Sequence, residues 1–295
     1  MKVVVTGAAG FLGRHVASRF RDDGWEVIAF DLIEPVIAGV DARVGDFTDA
    51  NSLEPVVAGA DVIAHVGAIG DVYLAASQPS LAARVNVVGT STVAEVARKT
   101  GARVVYASTW EVYGEPEYQP IDEDHPTRPD HPYNITKLGG EAMLLAASRL
   151  GGVNAVALRL GTAYGAGLRA NSVFRLFLDK ARKREPLSIQ GDGSQGRQFT
   201  HSSDIGRAFA LAAASDISGV ALNIVAPRMV TIKELAEHVI ASYPTDVEFG
   251  PARAGDVPSA TVSAHRAKQA LGWEAETTFE DGFEEFVASV PDDPV

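Results

Sequence analysis

Residues 3–13 read VVVTGAAGFLG, a run of valines that turns directly into glycines at positions 7, 10 and 13. β-Branched residues favour an extended strand. Each glycine then allows something a side chain would block. Gly7 permits a tight turn, Gly10 lets an anion approach the backbone, and Gly13 lets the following helix pack closely on the strand. A strand, a glycine turn and a helix in that order form a phosphate cradle, because the free N–H groups at the helix start and the helix dipole both attract an anion. Phe11 and Leu12, between the last two glycines, are counted with this candidate cofactor contact.

A second acid sharpens the reading. Asp31 closes the next β-rich run, about 20 residues beyond the glycines, where a carboxylate binds adenosine ribose hydroxyls. The same charge repels a 2′-phosphate, so the expected cofactor is NAD.

Short apolar runs alternate with helical patterns through the first two-thirds of the chain. Strands are predicted at 3–6, 26–30, 42–44, 62–65, 104–108 and 155–159, and helices at 12–22, 53–58, 80–100 and 133–150. Alternation of this kind, with strands apolar throughout, predicts an α/β fold: a Rossmann-type doubly wound parallel sheet covered on both faces. The rhythm breaks near residue 160. Helices are expected near 173–183, after Asp204, at 230–240, 264–271 and 279–289, around a glycine-rich turn at 191–196. These read as a smaller mixed α/β C-terminal substrate lobe. The expected division is an NAD-binding domain over 1–165, rejoined by segments around 197–225, with 166–295 mostly substrate lobe. Asp204 is expected to cap the helix that follows it, and the basic run 181–184 to complement the dipole of its own helix end.

The sequence contains no cysteine, which excludes disulfides, thiolate catalysis and cysteine metal sites. No metal site is expected. The net charge of −12 disfavours nucleic acid and anionic membrane as partners. No apolar run is long enough to span a bilayer, and a cytoplasmic location is the simplest expectation.

Several strings, in order, are similar to the motifs of one family. TGAAGFLG (6–13), GDFTD (45–49), AHVGA (64–68), VNVVGT (85–90), ASTWEVYG (107–114), YNITK (133–137), GRQFTHSSD (196–204), RAGDVP (253–258) and LGW (271–273) resemble those of extended short-chain dehydrogenases/reductases of the NAD-dependent nucleotide-sugar epimerase/dehydratase type. The resemblance implies that Asp46 and Phe47 lie at the adenine, that Gly67, Ala68 and Asn86 line the cofactor, and that Ser108 sits beside it. It makes Thr109 the catalytic hydroxyl of the strand, and Tyr133 and Lys137 the YxxxK pair, which also contact the cofactor. Arg197 and Arg253 match arginines that bind the substrate diphosphate, a role suited to forked guanidiniums. Thr162 replaces an asparagine that often contacts the nucleotide sugar. The implied partner is a nucleotide-diphosphate sugar. The implied assembly is a homodimer joined by the helices at 80–100 and 133–150.

The chemistry has its own requirements. Oxidising a sugar hydroxyl means removing a proton as a hydride leaves. Tyr133 is the candidate base, and a free phenol has a pKa near ~10. Lys137 lies four residues on, on the same helical face, where its ammonium is expected to favour the phenolate. Strand alternation sends Ser108 and Thr109 to opposite sides, so one of them serves. Dehydratases of the family carry an Asp-Glu pair after this threonine. Here Trp110 holds the Asp position and Glu111 remains, so Glu111 keeps decarboxylation or dehydration open. A 4-epimerase needs only Tyr133, Lys137 and Thr109, and is the first expectation. An NAD-dependent sugar or uronate dehydrogenase is the second, and a non-enzymatic NAD sensor on the same fold the third.

Overall fold

The valines after Lys2 are fully buried, because the strand they form lies inside a sheet covered on both faces. The computed structural model describes residues 1–251 and 259–291; Arg253 lies outside the described residues. In chain order the first elements are β1 (Lys2–Thr6), α1 (Phe11–Asp22), β2 (Glu26–Asp31), β3 (Asp41–Val44), α2 (Ala50–Val57), β4 (Val62–His65), α3 (Val72–Ser77), α4 (Pro79–Ala83), α5 (Thr90–Thr100), β5 (Arg103–Thr109), α6 (Pro132–Arg149) and β6 (Ala155–Leu160). They are followed by β7 (Thr162–Tyr164), α7 (Val173–Arg182), β8 (Leu187–Gln190), β9 (Gly196–Arg197), β10 (Phe199–His201), α8 (Ser202–Ala214), β11 (Ala221–Ile224), β12 (Val230–Thr231), α9 (Ile232–Ser242), β13 (Val247–Gly250), α10 (His265–Leu271) and α11 (Phe279–Ser289).

Seven strands form one sheet in the order β11-β6-β5-β4-β1-β2-β3, and every pairing is parallel. The order reverses between β1 and β4, which opens a crevice at the C-terminal ends of the strands, where open α/β sheets bind ligands. One face is covered by α1 and α8, with Val16, Phe20, Ile205 and Phe209 in its core. The other is covered by α2, α5 and α6, through Leu53, Val93, Val96 and Leu144. A separate aromatic core, with Phe174, Phe177, Phe279, Phe283 and Phe286, joins α7 and α11. Among the described residues no helix is long and apolar enough to cross a membrane.

The helix expected over 80–100 is continuous but not regular. It runs as α4, a widened π turn over Arg84–Gly89, and α5. Such widened turns recur at functional sites, and this one carries Asn86. The strand β11 has no counterpart among the predicted strands; it is four residues long and follows a helix-rich stretch.

Two side chains expected to serve their own helices reach elsewhere. The N-cap position of α8 is His201, and Asp204 sits within the first turn. The Asp204 carboxylate accepts hydrogen bonds from the backbone N–H groups of Glu276 (2.9 Å) and Thr277 (3.0 Å), while its carbonyl accepts one from the Trp273 indole (2.9 Å). It therefore fastens the chain entering α11 to the sheet domain. Arg182 donates to the carbonyls of Val290 and Pro291 beyond the end of α11, so its cation serves the C-terminus of α11 rather than that of its own helix. Replacing Asp204 by alanine leaves two N–H groups without their acceptor, and is expected to lower unfolding stability by about 2–4 kcal/mol, measured by urea denaturation.

Candidate active site

The glycine turn is built as the spacing predicts. Gly7 has φ +71°, and a β-carbon there would lie 2.5 Å from the Gly67 α-carbon. A β-carbon on Gly13 would lie 2.0 Å from the Gly7 carbonyl oxygen, so α1 meets the turn at a separation only glycine allows. Gly10 has the Gly7 oxygen 3.2 Å from its β-carbon position and otherwise open space. Phe11 begins α1 and meets the His15 ring edge-on at 5.3 Å, and Leu12 packs against the core. Asp31, at the end of β2, accepts a hydrogen bond from the Ala9 N–H at 3.0 Å, which ties the acid to the glycine loop.

The loop after β4 closes on this turn. The Thr6 hydroxyl accepts from the Gly67 N–H at 3.2 Å and pairs with His65 Nδ1 at 2.7 Å. Burial, with Lys137's charge second, pushes His65 down to about 3, so this ring is neutral. Phe47 lies edge-on to His65 at 4.9 Å, and its ring abuts Gly67 and Gly89, where β-carbons would fall 2.7 and 2.6 Å away. Asp46 turns the chain locally, accepting from the Thr48 N–H at 2.8 Å. Ala68 is half-buried beside Gly67. The Asn86 amide acts as a brace. It accepts from the Ile69 N–H (2.8 Å), donates to the Ile69 carbonyl (3.1 Å) and donates to the Thr136 hydroxyl (3.0 Å).

Ser108 and Thr109 do point apart. The Ser108 hydroxyl donates to the buried Glu141 carboxylate at 2.5 Å, whereas the Thr109 hydroxyl accepts from the Glu111 N–H at 3.2 Å and caps a short turn over Trp110–Tyr113. Trp110 is buried in an apolar cluster with Tyr113, Ile121, Val225 and Val262. Its indole fills the core, so the position where dehydratases carry an acid offers none here.

Tyr133 is in the first turn of α6 and half-buried. Its phenol is pushed up, first by burial and then by the charge of Glu111, and the Arg169 guanidinium opposes the rise. This differs from the lowering expected of Lys137. The reason is burial: Lys137 is itself only 2% exposed, and burial pushes it down to about 7, against the pull of Glu141. The Lys137 ammonium lies 4.2 Å from the centre of the Tyr106 ring. Burial also raises Glu111, while Arg197 opposes and Asp130 adds to the rise. The fold thus brings Glu111 within electrostatic reach of both Tyr133 and Arg197. Thr162 opens β7 and pairs with Phe199 beside Arg197.

Sequence reasoning missed Arg169 and Glu141. Arg169 stands in a loop with no motif and bridges to Asp71 at 3.3 Å. Glu141 lies four residues after Lys137 on the same face, a spacing that could have flagged it.

Residues 3–225 match the NAD dependent epimerase/dehydratase family. The chain belongs to that family. It is an enzyme of the epimerase/dehydratase type with NAD as cofactor. A putative UDP-glucose 4-epimerase of Methanocaldococcus jannaschii is 28% identical over 97% of both chains. A UDP-glucuronic acid decarboxylase of Danio rerio is also 28% identical, over 95% of this chain and 70% of its own. Among solved structures, UDP-glucose 4-epimerase of Thermotoga maritima with UDP-glucose has a TM-score of 0.92 at 26% identity, and MoeE5 with UDP-glucuronic acid and NAD has 0.90 at 33%; each comparison covers 98% of both chains. The residues fit the cofactor: Gly7 and Gly13 let the loop after β4 and α1 close on the turn, the β-carbon position of Gly10 has open space apart from the Gly7 oxygen, and no hydrogen bond occupies the Lys137 ammonium among the described residues.

Gly7→Ala is expected to abolish NAD binding in calorimetric titration. Gly24→Ala, at the same left-handed backbone (φ +80°) but with nothing within 4 Å, is expected to lose only about 1 kcal/mol of stability and to keep NAD affinity.

Proposed function

We propose that the chain is an NAD-dependent nucleotide-sugar 4-epimerase. What supports this reading is that Tyr133 and Lys137 stand four residues apart on α6, that Thr109 ends β5, and that Trp110 is buried in the core. Tyr133 takes the proton from the C4 hydroxyl and returns it after the ketosugar has turned over. Thr109 holds that oxygen by hydrogen bond, and Lys137 offers its ammonium as a hydrogen-bond donor to the cofactor's ribose. NAD, when bound, supplies a hydride acceptor that gives the hydride back, together with a positive ring that opposes the rise in the Tyr133 pKa. Arg197, and Arg253 outside the described residues, are the proposed diphosphate ligands. Asp31, Asp46, Phe47, Gly67, Ala68 and Asn86 are proposed to line the cofactor.

Glu111 supports a second reading. It is an acid whose protonated form is favoured by burial, within electrostatic reach of Tyr133, and a protonated acid can give the proton that replaces the carbon–carbon bond when the oxidised uronate loses carbon dioxide. The Danio rerio decarboxylase is consistent with it.

The proposed assembly is a homodimer through α5 and α6. An apolar groove of about 380 Å³ runs between these helices, lined by Ala94, Met143, Ala147 and Leu150, and Leu150 is 88% exposed. The cysteine-free sequence supports a cytoplasmic location.

A panel of UDP-, dTDP- and GDP-sugars, with UDP-glucuronate included, separates the reactions by product NMR. A new stereoisomer without accumulating reduced cofactor is expected. Stoichiometric reduced cofactor from a free sugar overturns the epimerase reading, and release of carbon dioxide from the uronate supports the lyase. Tyr133→Phe is expected to lower kcat by about 10²–10⁴-fold with NAD still bound. Leu150→Glu is expected to yield a monomer in light scattering.

A further inference from the structure

Beneath the catalytic helix lies a fully buried polar network that the mechanism above does not use. Glu141 is 2% and Arg159 7% exposed. The Arg159 guanidinium reaches the Glu141 carboxylate through Nη2 at 2.6 Å and Nε at 3.2 Å. The other carboxylate oxygen accepts the Ser108 hydroxyl at 2.5 Å. Arg159 Nη1 donates to the Tyr113 hydroxyl at 2.8 Å, which donates to Asn223 Oδ1 at 2.7 Å. The network therefore joins α6 to β5, β6 and β11 at the height of the reacting groups. Ser108 immediately precedes Thr109, and Glu141 is one helical turn after Lys137.

We propose that Glu141 is a positioning residue for the reaction: its carboxylate, fixed by Ser108 and Arg159, holds β5 against α6 so that Thr109 faces Tyr133, and its negative charge stands one helical turn from Lys137 on the same helix. This rests on Tyr133 and Lys137 being the reacting pair, not on which sugar is turned over.

The second half of the proposal follows from what surrounds Lys137. Tyr106 from β5 offers only the face of its ring. His65 from β4 is neutral. Tyr133, on α6 itself, carries no charge until it reacts. Arg159, on β6, stands behind Glu141 and is cationic. Glu141 is therefore the anion acting on Lys137, and burial alone would leave that lysine with less charge than it has. A buried ion pair is a poor source of net stability against an apolar replacement. Glu141 is here assigned a functional use, and the prediction below tests it against a merely structural one.

The test is Glu141→Gln, which removes the charge and leaves one acceptor oxygen where the carboxylate offers two, for Ser108 or for Arg159. Lysine labelled with ¹³C at Cε, with the Lys137 signal assigned by its loss in Lys137→Met, reads the titration directly in the NAD-bound enzyme. The midpoint is expected to fall by about one pH unit or more, since a close opposite charge shifts a pKa by roughly 1–3 units. The ammonium is the working form, so the alkaline limb of the single-turnover reduction of bound NAD moves to lower pH by the same amount. The KM for the sugar nucleotide is expected to stay within about twofold while kcat falls about tenfold. An unmoved midpoint and limb, with only the melting temperature lowered, overturns the proposal. If Glu141→Gln fails to bind NAD, Arg159→Lys provides the reading: it keeps the cation but loses the fork, so kcat falls with the limb in place, and an unchanged kcat overturns the proposal. Single-turnover reduction occurs in an epimerase, a dehydrogenase or a decarboxylase alike, so failure of the 4-epimerase reading leaves this test intact.

Discussion

The approach of α1 to the end of β1 governs the rest of the molecule. A β-carbon on Gly13 would stand 2.0 Å from the Gly7 carbonyl oxygen, and one on Gly7 would stand 2.5 Å from the Gly67 α-carbon. Both contacts are possible only for hydrogen. They bring the N-terminus of α1, with its unpaired N–H groups, to the crevice between β1 and β4, and bring the loop after β4 against the same turn. The shape of this crevice follows from the absence of two side chains.

The electrostatics around the reacting pair run against the simple picture of a lysine lowering a tyrosine. Burial acts on both groups and opposes charge on each, raising Tyr133 and lowering Lys137. What offsets it comes from elsewhere in the chain: Arg169, from the loop after β7, for the phenol, and Glu141 for the ammonium. The Glu141–Ser108–Arg159 contacts link this balance to the sheet itself, so the same network governs both charge and spacing. Trp110 shows the complementary economy. It occupies a position where an acid could act and turns away into the core, which leaves Glu111 as the nearby carboxyl beside Tyr133.

Much of this was legible in the sequence. The six strands of the first 160 residues are found close to their expected bounds: five are largely buried and mostly apolar, the glycine motif marks where the first one ends, and β3 is a short, mostly exposed strand at the sheet edge. Thr109 and Ser108 point to opposite sides, as a period of two requires. Other features were not legible. Asp204 looked like a cap because it stands near a helix start, yet it binds backbone 72 and 73 residues away. Arg182 serves a helix that begins almost a hundred residues later. The bracing of Asn86 against the Ile69 backbone and Thr136 had no signal in its motif.

The sequence by itself determined the order of strands and helices, the phosphate cradle and the tyrosine–lysine pair, because each depends on residues within a turn or two of one another. Tertiary structure alone decided that Glu111 and Arg169 act on Tyr133 and that Glu141 meets Ser108 and Arg159, since such influence depends on distance and burial in space and not on separation along the chain. The spacing of Lys137 and Glu141 is local to α6, but the partners of Glu141 are reached only once β5 and β6 close against that helix.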